Sequence, residues 1–332
     1  MKKCVFILPY FGKFNNYFPL FLQSCKINAS YNWLIFTDDM THYAYPDNVK
    51  VVYLTFDELK KLVASKLNIK ISLDTPYKLC DFKPTYGLVF EDYISDYEYW
   101  GHCDSDVLFG NMEKILDPLL KQGYDKLFPA GHLTIYKNNY NNVRRFMKCY
   151  NGKMIYKDFL TVPQICWFDE DWKDANIHSL FIQDNAKVFC DSLAYNPSGK
   201  YLRFVQRNYD SQKRCYKDEV KHKSICILEN GNLYRYNFNL KNQIIKKEEY
   251  LYIHLQHRWM KNYVKNNCII NNILIVPNEF KNIATEPINN LIITKINSVP
   301  LSGFIYFFEQ YAKKLHKKIK NIRRIKDDSK EN

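Results

Sequence analysis

The sequence predicts an α/β fold with a mainly parallel central sheet flanked by helices. Strands and helices alternate along residues 1–110, the order that places parallel strands in one sheet with helices on its faces. Of the 332 residues, 46% are hydrophobic and 16% aromatic, so the chain can bury a sizeable core and global disorder is not expected. This length suits one α/β domain with appendages.

The first 120 residues are predicted element by element from apolar runs and helical spacing. The predicted strands are residues 4–8, 33–37, 49–54 and 97–103, and the predicted helices are residues 14–28, 56–67, 75–93 and 112–120. Asn111 suits the N-cap of the last helix. Ligands of parallel sheets bind beyond the carboxyl ends of the strands, where Pro9, Thr37 and Asp104 are expected.

The rest of the chain is less regular. Residues 128–136, 224–228, 250–255 and 268–276 are predicted as strands. The polar stretch 196–247 is predicted to be an extended loop or insertion, and the region after Leu301 an amphipathic, basic helix with a charged end.

Composition excludes several classes of protein. No apolar run approaches the roughly 18 residues of a membrane-spanning helix, and the ten cysteines form no CxxC pair or Cys/His cluster. This argues against a zinc site or disulfide framework and suits a reducing cytoplasm. GxxxxGK[ST], GxGxxG and GxSxG motifs are absent. The net charge of +13 suits anionic partners such as nucleotide diphosphates, membranes or nucleic acid.

An acidic pair in WGHCDSDVLFGN is the strongest candidate for chemistry. Asp104 and Asp106 follow an apolar strand, and alternate residues of an extended strand point the same way, so both carboxylates could face one point. Mg²⁺ and Mn²⁺ prefer oxygen ligands and share them with substrate phosphates. The alternative is an ordinary acidic turn, because such pairs occur often by chance.

His254 is a second candidate, in the alternating run EYLYIHLQHRW. Imidazole is an acceptable third ligand for Mn²⁺, and His257 and Arg258 could meet diphosphate oxygens. Local sequence alone favours the alternative, a strand histidine followed by a solvated basic turn.

Two other charged groups fit a sugar-nucleotide site. Lys78, Asp81 and Lys83 lie within two helical turns and could contact phosphates and hydroxyls; the alternative is a solvated helix face. Asp169 and Glu170 lie between aromatic residues in CWFDEDW, where one carboxylate could act as a general base. An acidic surface loop explains that segment equally well.

The ordered set of segments resembles one group of enzymes. FILPYFGKF, IFTDD, YKLCDFKPTYG, WGHCDSDVLFGN, GHLTIYKN, WFDED and YIHLQHRW, spread over residues 1–275, together resemble bacterial glycosyltransferases of capsule and lipopolysaccharide O-antigen biosynthesis. The layout is also similar to the wider GT-A superfamily, including lipooligosaccharide galactosyltransferases. The resemblance implies a Rossmann-like GT-A domain over residues 1–300, with a nucleotide-sugar-binding half (1–125), an acceptor half (126–300) and a basic amphipathic tail (301–332).

The resemblance also implies an activity and roles for residues. The activity would be metal-dependent transfer of a hexose from a nucleotide diphosphate sugar, UDP-linked by family habit, to a growing capsule, O-antigen or lipooligosaccharide acceptor. Implied roles are Mn²⁺ or Mg²⁺ ligands (Asp104, Asp106, His254), nucleoside pocket (Pro9, Tyr10, Phe11, Thr37, Asp38), donor sugar and phosphates (Lys78, Asp81, Lys83, Ser105, His257, Arg258), donor sugar or acceptor (Gly131, His132) and reacting face (Asp169, Glu170).

One departure concerns stereochemistry. The related galactosyltransferases carry an Asp-Gln pair where this chain has Asp169 and Glu170. The resemblance favours retention of anomeric configuration, but this difference keeps the outcome open.

The C-terminal tail suggests a membrane partner. Phe304, Ile305, Phe307 and Phe308 precede a basic run between Lys313 and Lys326, a pattern that suits peripheral binding to anionic lipid through residues 301–326. With a lipid-linked or oligosaccharide acceptor, we expect a cytoplasmic protein on the inner face of the cytoplasmic membrane. A solvated helix is the alternative, and no nucleic-acid partner is expected.

Two other functions remain as alternatives. One is a phosphatase of the haloacid-dehalogenase type with Asp104 as nucleophile, although that class usually places its acidic pair after the first strand. The other is a basic membrane-associated binding protein without catalysis, which leaves the acidic pair unexplained.

Overall fold

The computed structural model describes residues 1–172, 175–264, 272–283, 296, 298–309 and 311–312. Its strands are β1 (Lys2–Tyr10), β2 (Tyr31–Thr37), β3 (Val49–Tyr53), β4 (Tyr97–Cys103), β5 (Val107–Phe109), β6 (Lys126–Leu127), β7 (Leu133–Lys137), β8 (Val188–Phe189), β9 (Ala194–Tyr195), β10 (Arg207–Asp210), β11 (Cys215–Asp218), β12 (Lys223–Glu229), β13 (Asn232–Phe238), β14 (Ile244–Tyr250), β15 (Tyr252–His254), β16 (Lys261–Asn262), β17 (Asn272–Val276) and β18 (Glu279–Asn282). Between residues 1 and 264 the α-helices are α1 (Phe18–Lys26), α2 (Phe56–Leu67), α3 (Leu79–Phe82), α4 (Tyr86–Val89), α5 (Glu91–Ile94), α6 (Met112–Leu120), α7 (Tyr140–Arg144), α8 (Ile155–Leu160) and α9 (Ile177–Gln183), and 3₁₀ turns cover Pro76–Lys78, Lys83–Thr85 and Arg145–Met147.

A seven-stranded, mainly parallel sheet carries the first part of the chain, in the order β3-β2-β1-β4-β7-β6-β8. Strands β1 to β4 are parallel, whereas β7 is antiparallel to both β4 and β6. The predicted α/β class with a mainly parallel sheet is therefore confirmed. The strand order reverses direction between β1 and β4, and ligands of such sheets bind beyond the carboxyl ends at the reversal.

Helices cover both faces of this sheet. Side chains of successive strand residues point to opposite faces, so Phe6 and Trp33 pack with α1 and α6, whereas Ile7 and Leu34 pack with α2 and the short helices around Phe82. These two buried clusters fix the sheet between layers. Strands from beyond residue 125 join it, so residues of both predicted halves, 1–125 and 126–300, contribute to this sheet.

Local capping explains the helix bounds. Thr55 and Glu58 form a reciprocal capping box at the start of α2, which spans the predicted range 56–67. Asn111 accepts a hydrogen bond from the backbone of Lys114 and begins α6, as predicted. The predicted helix 75–93 is instead a series of short helical segments, one of which, Lys83–Thr85, contains Pro84, because proline removes a helical hydrogen bond.

Residues 196–247 were predicted to be an extended loop or an insertion, and the loop is wrong. This stretch contains the hairpin β10–β11 together with β12, β13 and the start of β14, which belong to a six-stranded, largely antiparallel sheet ordered β14-β13-β12-β17-β18-β16. Asn230 and Gly231 connect β12 to β13 with φ of 48° and 79°, the backbone that an Asn-Gly hairpin turn requires. That pair was a readable hairpin signal in an otherwise polar segment.

A third sheet has three strands, in the order β5-β15-β9. β15 pairs antiparallel with β5 and parallel with β9. Because β15 follows β14 after one residue and β5 follows β4 after a short turn, this small sheet brings residues near 105 and near 254 together.

Within the described chain, no helix has the length and apolar character needed to cross a bilayer. Residues 301–309 are helical, as predicted for the start of the tail. The basic residues from Lys313 to Lys326 lie outside the described residues.

Candidate functional site

Asp104 and Asp106 lie on a tight turn between β4 and β5. The prediction that strand alternation aligns them is therefore wrong in its mechanism, because β4 ends at Cys103. The turn itself directs both carboxylates towards β15. The backbone N–H of Asp104 donates to the carbonyl of His132 at 3.1 Å, which fixes the turn against β7.

Strand register brings His254 to the acidic pair. His254 lies opposite Val107, the residue after Asp106. Its Nε2 atom is 3.6 Å from Asp106 Oδ1 and 3.9 Å from Asp104 Oδ2. Its Nδ1 atom is 3.1 Å from the side-chain oxygen of Asn196, which follows β9. Asn196 can only accept through that oxygen, so Nδ1 donates the hydrogen bond and Nε2 faces the carboxylates.

Asp106 has an unsatisfied buried oxygen. Its side chain is 1% exposed, Oδ2 accepts from the backbone N–H of His257, and Oδ1 has no hydrogen-bond partner among the residues that the structure describes. A buried acceptor without a partner is costly, of order 1–3 kcal/mol. One ligand atom each from Asp104, Asp106 and His254 lie within 4.8 Å of one another. A hard divalent cation would satisfy this oxygen, so these three residues fit a metal.

The turn after β15 is built for this contact. Gln256 and His257 have φ of 51° and 53°, two successive left-handed residues that are not glycine. Such conformations cost of order 1 kcal/mol each and persist where the surroundings enforce them. Here the turn aims the N–H of His257 at Asp106, and the N–H of Leu255 donates to the Asp106 carbonyl at 2.9 Å.

Lys83 joins the acidic pair to Asp169. Its Nζ donates to Asp104 Oδ1 at 2.8 Å and to the carbonyl of Gly131 at 2.9 Å, and lies 3.1 Å from Asp169 Oδ2. Burial alone would lower the pKa of Lys83, but the charges of Asp104 and Asp169 raise it well above its usual value. Burial likewise opposes ionisation of Asp104, yet Lys83 and His254 hold its pKa below the ordinary range.

The pKa of Asp169 shifts in the opposite direction to the pKa of Asp104. Burial raises the pKa of Asp169 to about 7, and the charges of Glu170 and Asp104 add to this shift while Lys83 opposes it. The two shifts differ although Lys83 contacts both acids, because His254 also lowers the pKa of Asp104, whereas the neighbouring Glu170 raises the pKa of Asp169. Burial also raises the pKa of Glu170.

Gly131 and His132 form the wall beside these acids. A Cβ atom on Gly131 would overlap the Asp169 carboxylate, so only glycine allows this approach. His132 stacks on His254, with ring centroids 4.2 Å apart, and its Nδ1 is 2.7 Å from the Tyr252 hydroxyl. Burial lowers the pKa of His132 well below its usual value, so the neutral ring packs on His254.

Asp104, His254, Lys83 and Asp169 line one cleft of about 460 Å³ beyond the carboxyl ends of β1 and β4, whereas the buried Asp106 is not among its lining residues. The predicted site residues that line it are Pro9, Tyr10, Phe11, Lys83, Asp104, Ser105, Gly131, His132, Asp169, Glu170, His254 and His257. Lining residues that sequence reasoning missed include Tyr77, Trp167, Asn196, Arg207 and Tyr216. Trp167 belongs to the aromatic segment CWFDEDW, whereas Asn196 and Tyr216 have no local signal.

Lys78 and Asp81 do not reach the cleft. They form a buried ion pair, with Nζ 2.7 Å from Asp81 Oδ2. Asp81 also accepts from the backbone N–H groups of Cys166 and Phe168 at 2.8 and 3.0 Å, and Lys78 donates to the carbonyl of Phe159 at 2.9 Å. The pair therefore anchors the segment that carries Asp169. The Asp81 carboxylate is not available to a metal, because the Lys78 ammonium group and two backbone N–H groups already bind its oxygens.

Three other predicted residues lie at the periphery. Thr37 accepts from the backbone of Asp39, and Asp38 accepts from Gly12 at 2.7 Å, so both shape the loops that follow β2 and β1. The buried guanidinium of Arg258 donates to Asn278 and to the carbonyls of Ser198 and Tyr201. These contacts direct Arg258 away from the cleft.

The sequence profile of a family of unknown function, DUF6625, matches residues 6–284. The chain belongs to this family. A search of curated proteins finds no match to this DUF6625 member.

Two solved structures are similar to parts of the DUF6625 chain. One is the galactosyltransferase LgtC in complex with donor and acceptor sugar analogues, with 10% identity and a TM-score of 0.32 over 59% of this chain and 76% of that chain. The other is an active-site variant of LgtC in which glutamate replaces glutamine, with 11% identity and a TM-score of 0.34 over 59% and 75%. Similarities this low carry no argument about function, so the function of the DUF6625 protein has to be inferred from the residues of its own site.

Proposed function

We propose that this protein is a metal-dependent glycosyltransferase of the GT-A type that uses a nucleotide diphosphate sugar. The observation that carries the proposal is a buried oxygen of Asp106, which has no hydrogen-bond partner among the described residues and faces Nε2 of His254 beside a cleft that Asp104 and His254 line. The cleft lies where parallel sheets bind their ligands, and its volume is within the range of small-molecule sites.

The metal would be Mn²⁺ or Mg²⁺, held by Asp104, Asp106 and His254. When bound, it would neutralise the charge that develops on the diphosphate leaving group. Two carboxylates with one imidazole fit Mn²⁺ better than Mg²⁺, which favours oxygen ligands. Asn196 holds the imidazole in the required tautomer, a support that metal-ligating histidines commonly have.

The donor would lie along the end of β1. Pro9, Tyr10 and Phe11 line the cleft there, and Tyr10 stacks on Phe14 with ring centroids 4.4 Å apart, which leaves an apolar shelf for a nucleoside. Thr37 and Asp38 shape the adjoining loops. Lys83 lines the cleft and contributes positive charge there, and the exposed side chain of His257 can donate a hydrogen bond to phosphate oxygens.

The reacting face would be formed by Asp169 and Glu170. With a pKa of about 7, Asp169 is suited to exchange a proton with a hydroxyl group near neutral pH. Gly131 leaves room for its carboxylate, and Lys83 fixes its orientation. Glu170 lies beside it in the cleft. We propose that this pair acts at the anomeric centre, with retention the preferred outcome.

The acceptor would be a surface-polysaccharide glycan on a lipid carrier. Tyr77 and Trp167 line the cleft and are 66% and 40% exposed, so their rings can stack on sugar C–H faces. Phe304, Ile305 and Phe308 are exposed on the helix 301–309, which suits attachment to the inner face of the cytoplasmic membrane. UDP is the proposed nucleotide.

A donor-hydrolysis assay tests the proposal. Nucleotide sugars incubated with the full chain and Mn²⁺ should release nucleoside diphosphate slowly, and Asp106→Asn should abolish the release. Asp92→Asn is the matched control, since Asp92 is exposed and pairs only with Lys66 among described residues. Full activity of Asp106→Asn, or activity that EDTA does not remove, would refute the metal role. Turnover of phosphomonoesters through a trappable phospho-aspartate would instead support the phosphatase alternative.

A further inference from the structure

Two apolar side chains project from the connections at one end of the strands β12, β13 and β14. In its register Lys223 lies opposite Phe238, and Phe238 opposite Ile244. The connection before β12 and the turn between β13 and β14 are therefore neighbours. Val220 in the first is 87% exposed, and Leu240 in the second is fully exposed. We call residues 219–223 and 238–243, with Arg203, the loop edge.

A basic hollow lies within the loop edge. It has a volume of about 600 Å³ and is lined by Arg203, Lys221, His222 and Lys223, and none of the described residues lining it is acidic. Lys221 Nζ lies 4.5 Å from the ring centre of Tyr201, and Lys223 Nζ 4.7 Å from that of Phe238. Burial, and then the charge of Arg203, lower the pKa of Lys223. Positive charge is thus crowded around an open cavity.

The combination of exposed apolar side chains with a basic hollow favours a bilayer over a soluble anion as the partner. A small anion would use the cations of the hollow but would give no role to apolar side chains projecting into water on either side of it. A membrane surface uses both, because anionic headgroups attract the cations and the apolar tips enter the acyl region. Ile296 lines this hollow and also a second one that contains Leu301, so the loop edge adjoins the start of the helix 301–309.

We propose that the loop edge docks on an anionic bilayer, with a lipid phosphate in the basic hollow and the side chains of Val220 and Leu240 inserted beside it. This surface is separate from the basic tail, and the proposal does not depend on glycosyl transfer.

Vesicle co-sedimentation of the full chain tests the docking surface. Vesicles of phosphatidylcholine alone are compared with vesicles that also contain phosphatidylglycerol. We expect binding only to the anionic vesicles, and binding should weaken as salt is added. The double variant Arg203→Gln/Lys221→Gln should weaken binding about 25-fold, since each basic residue near such a surface contributes roughly 5-fold. Leu240→Ser should weaken it about 10-fold through lost apolar burial.

Matched controls lie on the same part of the chain. Lys217→Gln removes an exposed lysine from β11, and Ile245→Ser removes an exposed apolar side chain, 63% exposed, from β14. Both should bind vesicles like the wild type. Unchanged binding of the double variant, or equal losses in the controls, would overturn the proposal. If the double variant loses vesicle binding but Leu240→Ser does not, the hollow is a site for a soluble anion. If the double variant keeps vesicle binding and loses binding to RNA, the loop edge is a nucleic-acid surface. Either result overturns bilayer docking.

Discussion

Asn196 offers a sharp test of the metal site, because it touches the proposed ligand set only through His254. Its side-chain oxygen lies 3.1 Å from His254 Nδ1 and also accepts from Gln256 at 2.7 Å. Asn196→Ala removes the group that fixes the imidazole tautomer. Loss of such a supporting contact typically costs 10- to 100-fold in metal affinity. Asn196→Asp keeps an acceptor at the same place, and a carboxylate makes the imidazole a better ligand, so its metal affinity should equal or exceed that of the wild type.

The magnitude follows from ligand linkage. With Mn²⁺ at about 100 times its dissociation constant, the wild type gains about 2.7 kcal/mol of stability. A 10- to 100-fold loss of affinity reduces this gain to about 1.4 to 0.4 kcal/mol in Asn196→Ala. For a chain of this size 1 kcal/mol corresponds to about 2 °C, so a Mn²⁺-induced rise of about 5 °C should fall to between about 1 and 3 °C.

The assay is thermal unfolding of each variant with EDTA and with Mn²⁺. The difference between the two conditions is compared, because Asn196→Ala also destabilises the metal-free protein by leaving Gln256 without its acceptor. Asn232→Ala, which alters a surface asparagine that donates to Asn230, is the matched control and should keep the full increment. An Asn196→Ala protein with the full Mn²⁺ increment, or an Asn196→Asp protein that has lost it, would refute the assignment of His254 as a ligand oriented through Nδ1.

Three further outcomes are expected from the same geometry. Gly131→Ala should abolish transfer and lower stability by about 1–3 kcal/mol in urea unfolding, because the added methyl group overlaps the Asp169 carboxylate; wild-type activity would contradict the packing. Lys78→Met should cost about 3–5 kcal/mol, since it leaves the buried Asp81 carboxylate without its cation; a change below 1 kcal/mol by calorimetry would show that the pair is not buried in solution. Asp169 has a folded pKa of about 7 against 3.8 unfolded, so the native state holds a proton that the unfolded state releases, and stability should fall by about 4 kcal/mol as pH rises from about 4 to 7. Asp169→Asn should remove that slope; an equal slope in both proteins would assign it elsewhere.

Much of the first half of the fold was predictable because its signals are local. The strands β1 to β4 are short apolar runs, and α2 and α6 carry their own caps at Thr55 and Asn111. Within residues 196–247, the apolar run 224–228 was predicted as a strand and lies in β12. The other strands there were not predictable by the same means, because they mix tyrosine, lysine and asparagine and bury only some of these side chains. These residues form strands because they pair with neighbouring strands, and the local sequence does not show that pairing.

The site shows the same division. Asp104, Asp106 and His254 could be grouped from the order of motifs, and the structure brings their ligand atoms together. Spacing alone could not tell that Lys78 and Asp81 form an internal pair while Lys83, five residues after Lys78, reaches the acids of the cleft. A helical repeat shows which side chains share a face, but not whether that face meets a ligand or another segment of the protein.

The ligand set depends on contacts between distant parts of the chain, and this links metal binding to folding. His254 is carried by β15, which continues from β14 of the six-stranded sheet and pairs with β5, the continuation of β4 in the central sheet. A cation held by Asp104, Asp106 and His254 therefore joins side chains that the two sheets supply separately. Its binding free energy must stabilise the pairing of β15 with β5. Conversely, any change that loosens this three-stranded sheet weakens metal binding without touching a ligand, because the three side chains then no longer converge.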